Sequence, residues 1–396
     1  MASKKRKRKK KQIRKSGSFD YTMLFITAVL IGIGLVMIYS TSGYASEMKG
    51  GDSMAYFKKQ ASWVAVGFGL MIAAYNLPYH FWENRLVTVG IFGISLALIL
   101  SLPVIGTTVK GATRWIRIGG FSFQPAELVK IGVILVTAWI VVKAQQGEIK
   151  KFTHWLLIIA LTAGLPFFLV YTVSDNLSSA IIVAMIPLVM TFVAYRGKRL
   201  YLALSGVLVA AVAIIVKIAS NAQATGGSFR TQRIVVWLNP EAYATGKGFQ
   251  TIQSLYAIGS GGLFGKGLGK SLQKLGYIPE SQNDMIFSVI CEELGFFGAS
   301  LIIILFGFLL WRIMVTSQEA PDVYGMYLAI GIFAQIATQV VLNIAVVTNL
   351  IPNTGISLPF ISYGGTSVAL LMAEMGVVLN ISACADPGRQ AMSRGR

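Results

Sequence analysis

The sequence predicts an all-α membrane protein of about ten transmembrane helices, with both termini cytoplasmic and a large extracellular loop between the seventh and eighth helices. Three observations carry that expectation. Hydrophobic residues make up 55% of the 396 and charged ones only 13%, with a mean hydropathy of +0.65, so the apolar runs exceed what one soluble core can hide. Apolar stretches of roughly 17 to 25 residues, the length that crosses about 30 Å of hydrocarbon, recur along the chain. Lys and Arg concentrate in alternate short connections, and by the positive-inside rule that side is the cytoplasm.

The chain opens on a basic arm, residues 1–19. Ten of its first fifteen residues are Lys or Arg, about half of the net charge of +19. In a soluble chain such a run suggests nucleic acid or a nuclear address. Ahead of an apolar span it reads as a disordered arm that fixes the first helix and touches anionic membrane lipids, so no nucleic-acid partner is expected. The first apolar run is as long as a full span and lacks a small-residue cleavage site, so no cleavable signal peptide is expected. The spans are expected at 21–40, 62–77, 86–102, 125–142, 155–173, 177–195, 201–219, 285–311, 324–347 and 366–381, within a membrane domain of residues 20–382. KAQQGEIKK after the fourth span, RGKR after the sixth and the short tail 383–396 share the side of the basic arm.

Several chemistries are excluded by composition. Cys291 and Cys384 fall on opposite sides in this topology and do not pair, and without CxxC or HExxH there is no ligand cluster for zinc. His80 and His154 lie in predicted cytoplasmic loops away from every other candidate and read as plain interfacial residues, which removes a Ser-His-Asp or Cys-His site.

Residues 221–284 form a loop far longer than ordinary inter-helix connections, and such loops are usually functional or disordered. Its short apolar stretches suit a membrane surface. The run AIGSGGLFGKGLGKS invites a phosphate-loop reading, but Phe264 stands where both Walker A and GxGxxG need glycine. A tight, turn-rich segment folded onto helices and a backbone surface close to substrate both remain open.

Charges in improbable places give the site candidates. Lys110, Arg114 and Arg117 lie in the predicted outer loop between spans three and four, where an external cationic patch suggests an anionic substrate. Glu127 and Lys130 are three residues apart in span four, on one helical face and able to pair, either to fix helix packing or to line a cavity. Asp175, in the short turn VSDNLSS, either faces substrate or shares with Asn176 the capping of the next helix. Asp284 sits where the long loop runs back into a span, at a wet interface beside an apolar channel, as a candidate general base. Glu292 and Glu293, about two turns further on, read as partners of neighbouring helices or of substrate, and SYGGTS around Ser362 and Tyr363 as a helix start or a substrate contact.

These residues resemble those of the shape, elongation, division and sporulation (SEDS) family of polytopic proteins, the FtsW, RodA and SpoVE group. The resemblance runs from about residue 20 to 381 and is most specific in GATRWIRIGGFSFQPAELVK, AIGSGGLFGKGLG, IPESQNDMIFSVICEELGF and IPNTGISLPFISYGGTS. It implies a peptidoglycan glycosyltransferase that polymerises lipid II at the outer face of the bacterial cell membrane, with a class B penicillin-binding protein transpeptidase as partner. The family's essential acid falls on Asp284, its RW block on Arg114 and Trp115, its QPxE..K block on Gln124, Pro125, Glu127 and Lys130, and its PD turn on Asp175. Arg230, Arg233, Gln253 and Ser254 from the loop, with Ser362 and Tyr363, complete the expected substrate-binding set. No cofactor is expected to be required; a divalent cation beside Asp175, Asp284 or Glu127 is an option without a dedicated cage. Ser281, Gln282 and Asn283 precede the acid where the family usually has a histidine-threonine pair, while ELGF and GGTS lean towards the division or sporulation branch. A lipid II flippase and a non-catalytic scaffold for a transpeptidase are the alternatives.

Overall fold

The computed structural model describes residues 19–47, 52–109, 112–118, 121–148, 152–195, 201, 206, 217, 229–246 and 248–385. The helices in chain order are α1 (Tyr21–Glu47), α2 (Ala55–Asn76), α3 (Arg85–Ile105), α4 (Pro125–Lys143), α5 (Phe152–Ile159), α6 (Leu165–Val173), α7 (Leu177–Ala194), α8 (Phe229–Leu238), α9 (Phe249–Ser260), α10 (Ile286–Glu319), α11 (Val323–Val347) and α12 (Gly365–Ala383). Among the described residues eight segments are long and apolar enough to cross a membrane, α5 and α6 counting as one through the π turn that joins them. The second expected span corresponds to α2, whose 22 residues begin before the apolar run and include Lys58 and Lys59. The seventh expected span, 201–219, the basic arm up to residue 18, RGKR and the tail from residue 386 lie outside the described residues.

Local chemistry sets several helix starts. Asn84, Asn176 and Asp322 each accept a backbone N–H from the first turn of α3, α7 and α11, at 3.0, 3.1 and 2.8 Å, satisfying donors that a helix start leaves orphaned. Pro125 takes the first position of α4, where its missing N–H costs nothing. Small residues let α2 and α12 approach closely: a Cβ on Gly376 would stand 2.3 Å from the carbonyl oxygen of Met71.

The loop between α3 and α4 is more ordered than the sequence suggested. It forms a three-stranded antiparallel sheet in the order β1 (Thr107–Val109), β2 (Ala112–Ile118), β3 (Phe121–Phe123). Trp115, Ile116 and Ile118 on β2 have the strand propensity that an apolar-span search ignores.

The glycine run is a clasp and not a phosphate loop. Gly295 breaks α10 at φ +68°, and the run lies against that break, with Lys266 and Gly267 N–H donating to the Glu292 and Glu293 carbonyls at 2.9 and 3.0 Å. Phe296 N–H returns a bond to the Gly262 carbonyl at 2.9 Å. A Cβ on Gly295 would stand 2.2 Å from the nitrogen of Gly265, itself at φ +78°, so each glycine is required by the other's backbone.

Glu292 and Glu293, both fully buried, anchor the same loop. Glu292 pairs with Lys266 at 2.7 Å and accepts from the Ser271 hydroxyl and the Leu272 and Gln273 N–H groups. Glu293 pairs with Lys274 at 2.8 Å and accepts from Ser40 of α1 at 2.7 Å. These carboxylates hold protein and not substrate.

At the opposite end of the bundle His80 is more than an interfacial residue. Its Nε2 lies 2.8 Å from Asp322 Oδ2, which also accepts from Tyr79 Oη at 2.7 Å. Burial opposes the Asp322 charge, but the His80, Gly325 and Tyr79 hydrogen bonds outweigh it and hold its carboxyl below the usual range. Sequence spacing gives no hint of this contact, since 242 positions separate His80 from Asp322.

Candidate active site

Asp284 lies two residues ahead of α10, half-buried, with its position fixed through the backbone. The Asn343 side-chain amide on α11 donates to the Asp284 carbonyl at 2.8 Å and to the Ile356 carbonyl at 2.6 Å. One buried amide thus ties the acid to the loop between α11 and α12. On that loop Gly355 adopts φ +73°, and a Cβ there would stand 3.7 Å from Asp284 Oδ2, so the carboxylate faces the Gly355 backbone.

Gly355, Ile356 and Ser357 also line a polar cavity of about 60 Å³ with Gln124, Glu127, Lys130, Asn176, Ser178, Ser179, Ile182 and Gln339. Asp284 therefore stands at its rim. Inside, Lys130 is 1% exposed and pairs with Glu127 at 2.8 Å, as the i,i+3 spacing on α4 predicts. Ser367 of α12 donates to the other side of the pair, 2.9 Å from Glu127 Oε2.

The wall from α11 is a single polar row. Asn343, Gln339 and Gln335 recur every fourth residue, on one helical face, and all are buried. Asn343 holds Asp284, Gln339 lines the cavity, and Gln335 donates to both oxygens of Glu374 on α12 at 2.9 and 3.2 Å. Among the described residues the side-chain oxygens of all three amides find no protein partner, which marks the row as a place for water or a ligand. Sequence reasoning missed Asn343, Gln339, Gln335, Ser367 and Glu374. The available signal was their polarity at four-residue spacing, or as a lone acid, in runs otherwise apolar.

Arg114 reaches the site from β2. Its guanidinium donates to the Ser174 carbonyl at 3.2 Å and to the Asp175 carbonyl, clamping the turn ahead of α7. Burial lowers the Arg114 pKa from its ordinary value, with the Asp175 charge working against that and the nearby Arg233 charge adding to it. The two arginines and Asp175 thus sit within electrostatic reach of one another. Asn176, and not Asp175, caps α7, while Asp175 takes φ +48°.

Arg233 on α8 donates to the Asn353 carbonyl at 3.4 Å, and Trp237 to the Asn349 carbonyl at 3.0 Å. The large loop therefore backs the very segment that carries Gly355. Non-glycine residues at positive φ, namely Asp175, Glu280, Asn349 and Phe360, fall in the connections around Asp284. Such backbone persists where the surroundings over-determine it, commonly at working sites.

The remaining expected contacts divide. Ser254 is fully buried and its hydroxyl donates to the Val347 carbonyl at 3.1 Å, so it docks α9 on α11. Ser362 is 2% exposed and its hydroxyl accepts the Leu358 N–H at 2.7 Å, closing a turn. Each of these hydroxyls has a backbone partner in the folded chain. Tyr363 is half-buried, edge-on to Tyr56 with centroids 5.1 Å apart, and burial raises its pKa. Gln253 is half-buried on α9. Arg117 is exposed on β2, whereas Lys110 and the side chain of Arg230 lie outside the described residues.

The model of the cell cycle protein family of FtsW, RodA and SpoVE matches residues 21–386. Stage V sporulation protein E of Bacillus subtilis is 39% identical over 372 residues, covering 93% of this chain and 98% of that protein. Probable peptidoglycan glycosyltransferase FtsW of Trichlorobacter lovleyi is 37% identical over 369 residues, covering 92% and 93%. Among solved structures, a chain from work on structural coordination of polymerization and crosslinking by a peptidoglycan synthase complex is similar at TM-score 0.71 and 25% identity, covering 92% of this chain and 98% of that one.

Proposed function

The chain belongs to the cell cycle protein family of FtsW, RodA and SpoVE; it is a peptidoglycan glycosyltransferase of cell-wall synthesis, and we propose that it polymerises lipid II at the outer face of the bacterial cytoplasmic membrane with Asp284 as general base. The observation that carries this reading is the placement of the Asp284 carboxylate against Gly355, at the rim of a polar cavity holding the Glu127–Lys130 pair.

The acceptor's sugar 4-hydroxyl oxygen attacks C1 of the lipid-linked donor. The bond from C1 to the pyrophosphate oxygen breaks, undecaprenyl pyrophosphate departs, and the hydroxyl proton passes to Asp284 and then to solvent. Attack opposite the leaving group converts an α-linked donor into a β linkage. One base suffices because the pyrophosphate leaves without being protonated, unlike the two-carboxylate arrangement of glycoside hydrolases. Positioned proton transfer contributes about 10² to 10⁴-fold.

The departing charge requires cations. Lys130 on the cavity wall supplies one, and Arg114 with Arg233 supplies a positive field at the turn ahead of α7. Arg230, Asp175, Gln253 and Tyr363 are retained as substrate contacts on this reading. No metal is assigned a step. A divalent cation beside Asp175, Asp284 or Glu127 stays an option on this reading, and polymerisation measured with and without chelator tests it. A class B penicillin-binding protein transpeptidase is the proposed partner, in keeping with the synthase complex that contains the similar chain; division and sporulation are the cell stages favoured by the relatives.

Labelled lipid II incubated with the purified protein and a partner made inert for glycosyl transfer tests the reading. Glycan ladders are the expected product. A folded complex that yields none, yet moves lipid II between leaflets of a vesicle, would make the protein a flippase; neither activity would leave a scaffold.

A further inference from the structure

The direction of the Asp284 side chain depends on where α10 begins. Met285 stands just ahead of the helix, and no side chain caps the first turn. Were the helix continued backwards, the Ser288 N–H would reach the carbonyl four residues earlier, that of Asp284. It donates instead to Met285 at 3.1 Å, while the Asp284 carbonyl accepts from Asn343 of α11 at 2.8 Å. The helix therefore stops short of the acid. Each residue added to its start would turn by about 100°, enough to swing the carboxylate away from Gly355.

The stretch ahead of α10 is held to the α11–α12 connection at two points. Tyr363 N–H donates to the Gln282 carbonyl at 2.9 Å, and two residues on Asn343 takes the Asp284 carbonyl. The same Asn343 amide donates to Ile356 at 2.6 Å, one residue past the glycine that the Asp284 carboxylate faces. Asn343 is fully buried. Its side chain thus joins the main chain of the base to the Gly355–Ser357 segment that lines the cavity. Two N–H donors on one short neutral side chain are what an amide offers; a leucine of similar size has none.

We propose that Asn343 is a positioning residue for glycosyl transfer: its two hydrogen bonds keep Asp284 out of α10 and set the carboxylate at the cavity rim, where it takes the acceptor's proton. This rests on the reading of Asp284 as general base. Asn343 acts through Asp284 and touches no substrate, so its loss slows turnover without weakening substrate binding. Misplacing a reacting group by about 1 Å can cost about 10²-fold in rate, which sets the scale of the expected effect.

The test is a double-mutant cycle on turnover. Labelled lipid II is polymerised by the full-length protein in nanodiscs, with its partner made inert for glycosyl transfer, as wild type, Asn343→Leu, Asp284→Asn and the double variant. Rates are taken per folded molecule, and lipid II affinity is measured alongside. Asn343→Leu is expected to lower kcat roughly ten- to hundredfold with KM and affinity within about twofold of wild type. The double variant is expected to be no slower than Asp284→Asn alone, since no base is left to misplace. A wild-type kcat for folded Asn343→Leu, a loss of affinity without a loss of kcat, or losses that multiply in the double variant would each overturn the proposal. Should Asn343→Leu fail to fold, Asn343→Ser keeps one donor; its smaller fall in kcat is expected to vanish in the Asp284→Asn background, and a wild-type kcat or persistence there would overturn the proposal equally. Wild-type turnover by Asp284→Asn would refute the base reading itself, whereas normal turnover by Asn343→Leu beside an impaired Asp284→Asn would refute the Asn343 role alone.

Discussion

Two buried regions use the same residue types for opposite ends. Where the large loop meets α10, Glu293 meets Lys274 and Ser40, while Glu292 meets Lys266, Ser271 and two backbone N–H groups. In the cavity, Glu127 meets Lys130 and Ser367, but among the described residues the ammonium keeps unspent donors and the amide oxygens of Gln335, Gln339 and Asn343 lack protein partners. The difference teaches how to tell a structural ion pair from a working one. Satisfaction by protein closes the first site; unfinished hydrogen bonding beside a cavity leaves the second open to a ligand.

Removing one charge from each region breaks the comparison most severely in the closed one. Glu293→Ala leaves Lys274 buried without a carboxylate and is expected to lower stability by about 3–5 kcal/mol, read as a large fall in melting temperature in detergent. Gly295→Ala attacks the same clasp by sterics, at φ +68° with Gly265 N in the path of the new methyl. It is expected to cost about 1–3 kcal/mol by the same assay. Lys130→Met tests the open region. Cavity water can reach Glu127, so melting is expected to fall less than for Glu293→Ala, while polymerisation drops by roughly tenfold or more, equal to about 1.4 kcal/mol in the barrier. A melting loss as large as that of Glu293→Ala, with specific activity unchanged, would erase the distinction.

The smallest effect is expected at the far end. The Asp322 carboxyl is held below its ordinary pKa in the folded chain, so its stabilisation is fully present above the unfolded value of about 3.9 and is lost as pH falls through the lower folded value. Asp322→Asn should flatten the acid limb of a melting-temperature profile below about pH 4 and change stability near neutrality by about 1 kcal/mol, with polymerisation unaltered.

Much of this was legible because charge is conspicuous in apolar sequence. Asp284, Glu127 and Lys130 interrupt or border spans, and the i,i+3 spacing of the last two makes possible the pairing that the structure shows. The helices α1, α3, α4, α7, α11 and α12 follow from apolar run length and from starts such as Pro125 and Asn176. What was not legible depends on approach between distant segments. The small sheet has strands as short as three residues inside one loop. Asn343 looks like a stray polar residue in α11 until the Asp284 and Ile356 carbonyls are seen to converge on it. The burial of Ser254 and Ser362 and their backbone partners carry no sequence signal, and the His80–Asp322 contact joins two loops that no local pattern connects.

The central claim is that Asp284 takes the proton in glycosyl transfer, and Asp284→Asn tests it directly. The change keeps the shape and leaves the backbone carbonyl that Asn343 holds, so folding and partner binding are expected to match wild type. Polymerisation of labelled lipid II is expected to fall by about 10² to 10⁴-fold. Glycan ladders of wild-type length and yield from the folded variant would contradict the account.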